Sequence, residues 1–590
     1  MAETLISPGV FLNENDQSQI QLGPITVGAA LVGPTVKGRV NIPVLVRSYS
    51  DFNSQFGSLI VSGGANYEYL TSIAAYNYFQ QGGESLLVTR VVSGTFTSAT
   101  ASVISQLNPA SASFTLETLT RGIIANNFGP GASLSGSNNS LVSGTIDNIR
   151  YEIAGANTGS GTFTLIIRQG NDYENQKNVL ETWSNLSLDP NQNNYIEYVI
   201  GNQIMNPIQD ETGAYYLQTT GSYPMISRYV RVRNVNAPTP NYFNSLGLPQ
   251  PQFTSSIPAN GSGSFQGSFG GAVGQIMNGN NTAVNFFESI LSSTSTNVTP
   301  STNIQGVFPS DYAIALSLLA NADEYDYKTI SVPGLNYQNA SSAISTLLSN
   351  TQNRGDAIAV IDTTAYGQAL TAAVTQAQSI DSSYGAAYWP WVQLRSQETG
   401  KLFFCPASTI VPAAYEYSDK VSAEWFAPAG LTRGGLSTVI QPERRLTVSQ
   451  RDTLYAGKVN PIATFPGQGT VIYGQKTLQS KPSALDRVNV RRLLITLKRY
   501  IGGIAENLVF EQNSQTTRNS FLARVNPYLQ LVQQRQGLYS FRVVMDETNN
   551  TPEVIDRNQL VGAIYLQPTK TAEFIILDFN ILPTGATFGQ

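Results

Sequence analysis

Histidine is absent from this 590-residue chain, cysteine occurs once, and only 12% of the residues are charged. Without histidine there is no Ser-His-Asp or Cys-His arrangement, no zinc site of the usual histidine-containing kinds, and no side chain whose ordinary pKa lies near neutrality. Catalysis by Asp and Glu alone, as in a glycosidase, stays open. The single Cys405 can form no internal disulfide, which fits a reducing compartment, and it reads as a small buried apolar residue. Nowhere do about 18 uninterrupted apolar residues occur, and Met1–Asn15 has neither a basic nor a continuous apolar signal region, so a soluble chain without a secretion signal is expected. A phosphate-binding Gly-x-x-x-x-Gly-Lys-[Ser/Thr] loop is also missing. The Gly400-Lys401 and Gly457-Lys458 pairs have no glycine at the required place before them and no hydroxyl after them. No cofactor and no metal are expected, and the chain reads as a non-enzyme.

What is present is bulk. A hydrophobic content of 41% fills several cores, and a single core stops growing well before this length. Charge is about half the roughly 25% of an average soluble protein, so the surface is clothed in Ser, Thr, Asn, Gln and Gly. Such a surface is easier to desolvate than a charged one, which suits extensive subunit contact. The net charge of −5 is unevenly spread: Lys481–Arg535 holds nine basic and three acidic residues, leaving 25 basic and 36 acidic elsewhere. One basic segment in a chain of pI about 5.1 does not read as a nucleic-acid-binding domain.

Along the chain, residues 1–22 read as an extended arm in which Val10, Phe11 and Leu12 form a brief strand that must pair elsewhere. A helix is predicted over Tyr67–Gln81 and a buried strand over Leu86–Val92. From about Ser93 to Asn303 the composition shifts to small polar residues with alternating strands, in which Phe163, Leu165 and Ile167 share a face and Tyr195–Ile200 and Tyr229–Val235 look similar. Its tail, Asn260–Asn281, reads as a flexible linker or surface loop. Beyond Pro309 strands and helices alternate: strands at Tyr327–Val332, Ala357–Asp362 and Tyr388–Leu394, helices at Asn339–Ser349 and Tyr366–Gln378. The run Ala357–Ile361 suits a strand buried on both faces.

The strongest periodicity comes near the end. Val490, Leu493, Leu494, Leu497, Tyr500, Ile501, Ile504 and Leu508 fall in one helical stripe, and Arg487, Arg491, Arg492, Lys498 and Arg499 lie on another side. Gly502 and Gly503 mark a bend or a close helix contact. A second helix over Arg518–Gln534 follows, then a strand with Tyr539, Phe541, Val543 and Met545 on one face, and a hairpin of Leu560–Gln567 with Ala572–Ile581.

In order, the segments ISPGVFLNE (Ile6–Glu14), SDFNSQFG (Ser50–Gly57), YFQQGGESLLVTRV (Tyr78–Val91), AAYWPWVQL (Ala386–Leu394), CPASTIVPAAYEYSDKVSAEWFAPAGL (Cys405–Leu431) and LYAGKVNPI (Leu454–Ile462) resemble the contractile tail sheath proteins of bacteriophages and related injection particles. The resemblance covers residues 1–95 and 305–585 and implies a multidomain α/β and α+β chain with these parts: an arm (1–22), a first core part (23–95), an outward-facing β-rich insertion (96–303), an α/β core (304–450) and a tube-facing C-terminal domain with a terminal strand arm (451–590). It further implies stacked six-fold rings around a tail tube in a virion assembled in the host cytoplasm, with baseplate and tail terminator proteins as further partners, and neither nucleic acid nor membrane insertion. Strand addition between subunits would use Val10, Phe11, Leu12, Phe574, Ile576, Phe579 and Ile581. The basic helix residues Arg487, Arg491, Arg492, Lys498 and Arg499 would face the tube. A capsid or surface-layer protein and a glycan-active tail protein are the rival readings.

Overall fold

The computed structural model describes residues 27–62, 65–127, 134–135, 138–261, 267–275, 290 and 305–573. Its centre is an eight-stranded mixed sheet built from two distant stretches of chain. The strands are β1 (Ala29–Gly33), β2 (Pro43–Val46), β3 (Leu86–Arg90), β4 (Thr329–Asn336), β5 (Ile358–Asp362), β6 (Gly385–Trp389), β7 (Val459–Phe465) and β8 (Gly469–Ile472). They lie in the order β2-β3-β1-β4-β5-β6-β7-β8. The inner strands are parallel, with Ala29 opposite Thr329 and Ala359 opposite Gly385, and the edge strands β2 and β8 run antiparallel to their neighbours.

A parallel sheet needs both faces covered, and this one has them. Ala359 and Ile361 of β5, with Ala387 and Trp389 of β6, point to one side, under Ile344, Leu347 and Leu348 of α3 (Ser341–Arg354) and Ala373 and Ala377 of α4 (Leu370–Gln378). Ile358, Val360, Ala386 and Tyr388 point to the other, under α2 (Leu70–Gln80), α5 (Val411–Val421) and α7 (Val488–Glu506). Each Ile or Val removed from water here contributes about 1.5–3 kcal/mol. Helix starts follow local chemistry. Ser48 caps α1 (Tyr49–Phe56) by accepting from the Asp51 N–H at 3.0 Å, and Thr447 and Gln450 form a reciprocal cap on α6 (Val448–Ala456). Gly355 ends α3 in the left-handed conformation at φ 72°.

Between β3 and β4 the chain builds a separate β-rich unit. One three-stranded sheet orders Val230–Val235, Ala112–Arg121 and Ser98–Ile104; another orders Ile149–Asn157, Thr162–Gln169 and Val179–Ser187. Phe163, Leu165 and Ile167 do share the buried face, and Phe163 stacks on Phe114 across the two sheets, with ring centroids 5.5 Å apart.

Several expectations are corrected. Tyr195–Ile200 is not a strand: Ile196–Ile200 is a short helix that buries Ile196 and Ile200. Tyr388–Leu394 is two strands, because Pro390 has no N–H for the ladder, and Val392–Arg395 turns away to pair with Leu402–Cys405. The described parts of the Asn260–Asn281 tail are laid on the insertion's own strands, with Thr100 and Gly270 exchanging hydrogen bonds at 2.8 and 2.9 Å and Phe269 buried. Gly274, at φ 104°, lets that backbone approach Phe96 so closely that a Cβ would lie 2.6 Å from the ring. The break placed at 450/451 falls inside α6. Strands β7 and β8 belong to the central sheet, and Leu478 still packs in its core.

Candidate assembly interface

The C-terminal unit is a helical hairpin with a small sheet. Helix α7 presents two buried sides. Val488 and Ile495 enter the central core, and Leu493 and Leu497 meet Phe521, Val525, Leu529 and Val532 of α8 (Gln515–Gln534). Tyr500 stacks on Tyr528 with ring centroids 3.7 Å apart. Helix α8 starts where the Ser514 hydroxyl accepts from the Thr517 N–H at 3.2 Å. Helix α7 runs through Gly502 and Gly503, and nothing lies within 4 Å of the positions their Cβ atoms would take, so they mark no close helix contact.

The five basic residues are each engaged by groups of this same chain. Arg491 donates to the Ser383 carbonyl at 3.2 Å and to its hydroxyl, and lies 4.0 Å over the Tyr384 ring. Arg492 meets the Asp419 carboxylate at 2.5 Å and covers the Tyr415 ring. Lys498 donates to the Tyr384 hydroxyl at 3.2 Å. Arg499 holds Asp326 at 2.5 Å and donates to the Asp356 and Tyr327 carbonyls. Arg487 makes a two-point pair with Glu573 at 2.6 and 3.0 Å and reaches Asp486 at 2.9 Å. Lys498 is exposed and Arg487 and Arg499 are half-buried, but Arg491 and Arg492 are only 4% and 5% exposed and have no surface to offer a tube, which corrects the expectation for those two. The physical reason is that guanidinium groups stack on tyrosine rings and fork onto carboxylates, so a basic helix side can be a packing side.

Around Arg492 the α5–α7 contact is a dense charge cluster. Burial alone would lower the Arg492 pKa, but Asp419, with Glu424 and Tyr415, outweighs it and holds the group firmly charged. Burial and then the neighbouring Asp419 push Glu416 up to about 7. Lys328 and the Thr496 hydroxyl both hydrogen-bond Glu424; against the opposing effect of burial they hold it below the ordinary carboxylate range.

After α8 the chain forms β9 (Leu538–Val544) and β10 (Ala563–Pro568), an antiparallel pair with Phe541 opposite Leu566 and Val543 opposite Ile564. Those four side chains pack toward the hairpin core, whereas Arg542 and its partner Tyr565 point outward. The expected strand Leu560–Gln567 thus pairs backward onto β9; its expected partner, Ala572–Ile581, lies almost wholly outside the described residues. Among the described residues neither β9 nor β10 has a second neighbour, so each presents an open edge. Tyr539, expected on one face with Phe541, Val543 and Met545, is 78% exposed, because the register slips between Leu538 and Ser540.

The segment that follows is fastened at its root. Glu573 takes Arg487 and a Gln475 amide at 3.0 Å, and the Thr571 hydroxyl accepts from Gln475 and Asn489, each at 3.2 Å. These residues wall a cleft of about 660 Å³ beside the start of α7. The proposed strand residues Phe574, Ile576, Phe579 and Ile581, like Val10, Phe11 and Leu12, lie outside the described residues. Nothing in the sequence near Arg487 signals Glu573, 86 positions away.

Residues 310–478 match the family model for the phage tail sheath protein central domain, and residues 480–582 match that for the phage tail sheath C-terminal domain. The tail sheath protein of Vibrio phage KVP40 is 45% identical over 174 residues, 30% of this chain and 26% of that protein. The tail sheath protein of Salmonella phage ViI is 30% identical over 284 residues, 47% of this chain and 44% of that protein. The matched stretches thus span between a quarter and under half of these relatives' length. A crystal structure of a sheath tail protein from Listeria innocua superposes with a TM-score of 0.51 over 93% of both chains at 10% identity, a likeness of fold. Over residues 310–582 the chain is thus similar, in sequence order, to the central and C-terminal domains of the phage tail sheath family.

Proposed function

We propose that this chain is a non-enzymatic structural subunit of a contractile tail sheath, polymerising as stacked six-fold rings around a tail tube, and that it works by strand exchange between copies. The observation that carries the reading is the pair β9–β10, open-edged among the described residues, beside a fastened exit at Thr571–Glu573. A two-stranded sheet is marginal by itself and its free edges are ready templates for another chain. Val10–Leu12 of one copy adds to that sheet in a neighbour, together with the terminal segment containing Phe574, Ile576, Phe579 and Ile581. Each backbone hydrogen bond is worth about 0.5–1.5 kcal/mol net, so four or five per arm, repeated through a lattice, give a continuous mesh. Because a head-to-tail contact that does not close on itself generates a helix, rings stack into a cylinder.

Arms of this kind tether neighbours while rigid domains repack, which makes contraction a change of domain contacts without dissociation. With no nucleotide loop in the chain, the energy is stored in assembly, the extended form being kinetically trapped. The tube contact belongs to the outer surface of the C-terminal unit and not to the buried Arg491 and Arg492. The insertion lies outside the cylinder as armour, and baseplate and terminator proteins close the two ends in a virion assembled in the host cytoplasm. Deleting Met1–Leu12 is expected to leave a folded monomer that forms no cylinders under negative-stain microscopy; ring-striated cylinders from the deletion protein overturn the arm mechanism.

A further inference from the structure

Where the insertion meets the core, arginines gather without enough carboxylates. Arg39 comes from the loop between β1 and β2, Arg121 ends the strand Ala112–Arg121, and Arg231 lies on the neighbouring strand directly opposite Glu117. Arg90, at the end of β3, sends its guanidinium into the same seam and donates to the Gly38 and Arg121 carbonyls at 2.7 and 2.8 Å. Arg39, Arg121 and Arg231 thus line one small cavity with a single acidic side chain, and that one is already shared. Glu117 takes Arg231 at 2.8 Å and, at 3.7 Å, the more exposed Arg233.

The remaining partners are weak for ions. Arg121 donates to the Asn206 amide oxygen at 2.8 Å. Arg39 donates to the Met225 sulfur at 3.4 Å, a thioether where a carboxylate would be expected, and no ion pair to it occurs among the described residues. The Nε atoms of Arg231 and Arg90 are buried without a hydrogen-bond partner. Burial first, and then Arg121, lowers the Arg39 pKa; burial also lowers that of Arg121, where Arg231 works against Glu117. A guanidinium does not give up its proton near neutrality, so the excess charge calls for a counterion.

We propose that this seam binds one small monovalent anion of halide size, held by Arg39, Arg121 and Arg231 and joining the insertion to the core. These arginines line, with Glu117, Met205 and Met225, a small cavity of about 20 Å³, room for a water-sized body. The thioethers of Met205 and Met225 are polarizable walls that suit a soft anion better than a strongly hydrated one. Two of the three holding arginines belong to the insertion and one to the core, so the bound ion adds a bridge between units that also meet through ion pairs such as Lys37–Asp147 at 3.4 Å and Arg228–Asp51 at 3.4 Å.

The full chain is titrated with sodium chloride against sodium gluconate at constant ionic strength while its melting temperature is followed. A saturable rise of roughly 2 °C with chloride is expected, and its absence in the Arg39→Gln variant. A rise of equal size in that variant, or none in the unaltered chain, overturns the proposal. Should Arg39→Gln fail to fold, crystals of the unaltered protein grown in sodium bromide decide alone. An anomalous bromide peak among Arg39, Arg121 and Arg231 upholds the site, and a featureless seam overturns it.

Discussion

At the scale of single residues, the polar groups buried in this chain set its response to acid and base. Asp362 ends β5 fully buried, accepting from the Ser408 N–H at 3.1 Å and from its hydroxyl at 2.5 Å. Burial pushes its carboxyl up to about 7, further than the two hydrogen bonds pull it down. Between about pH 4 and pH 7 the unfolded chain has lost this proton and the folded chain keeps it, so folded stability falls as pH rises through that window. Asp362→Asn, which keeps the Ser408 N–H contact, is expected to shrink the drop in stability between pH 5 and pH 8 by on the order of 2 kcal/mol, read from urea midpoints at the two pH values. Arg492→Met leaves Asp419 buried without its partner and is expected to cost about 3–5 kcal/mol in the same assay. A solvated arginine at that position would cost next to nothing. Cys405 was legible in advance as a buried apolar residue, and it is buried, with burial raising its thiol to about 12. Asp362 and Asp419 were not legible, since an acidic residue in a mostly polar sequence carries no local mark of the hydroxyl or guanidinium that will meet it.

At the scale of elements, period and composition identify strands and helices well where one side is apolar, as in Ile358–Asp362 and the α7 stripe. They do not say what stands opposite a polar side. Periodicity separates the basic side of α7 from the apolar ones without revealing how much of it is covered; Tyr384, Tyr415, Asp419 and Asp356, which engage its arginines, come from three other segments. The same limit hid the pairing of β10 with β9, where two alternating strands suited several partners equally. The Arg487–Glu573 pair is the element-level contact with the clearest consequence. Arg487→Gln is expected to lower stability by only about 1 kcal/mol, since the pair is partly exposed. Hydrogen exchange at residues 570–573 is nevertheless expected to accelerate several-fold, as the root of the terminal segment loosens; unchanged exchange there would show that the pair does not fasten it.

At the scale of the whole molecule, the central sheet is completed by strands from both sides of the insertion, and the chain leaves and returns at neighbouring points, with Ser93 hydrogen-bonded to Asp311. Replacing residues 97–303 by a short Gly-Ser link is therefore expected to give a soluble core that melts cooperatively with α/β circular dichroism. A broad, non-cooperative melt would mean that the insertion is part of the folding unit. The sheet's composite origin also bears on synthesis. Strand β1 cannot meet β4 until the ribosome has added the 300 residues that separate Ala29 from Thr329, a wait of about 15–60 s at ordinary elongation rates. During that interval the nascent β1–β3 strands stand with one flank unsealed, and the insertion has time to fold and keep the two halves within reach of each other.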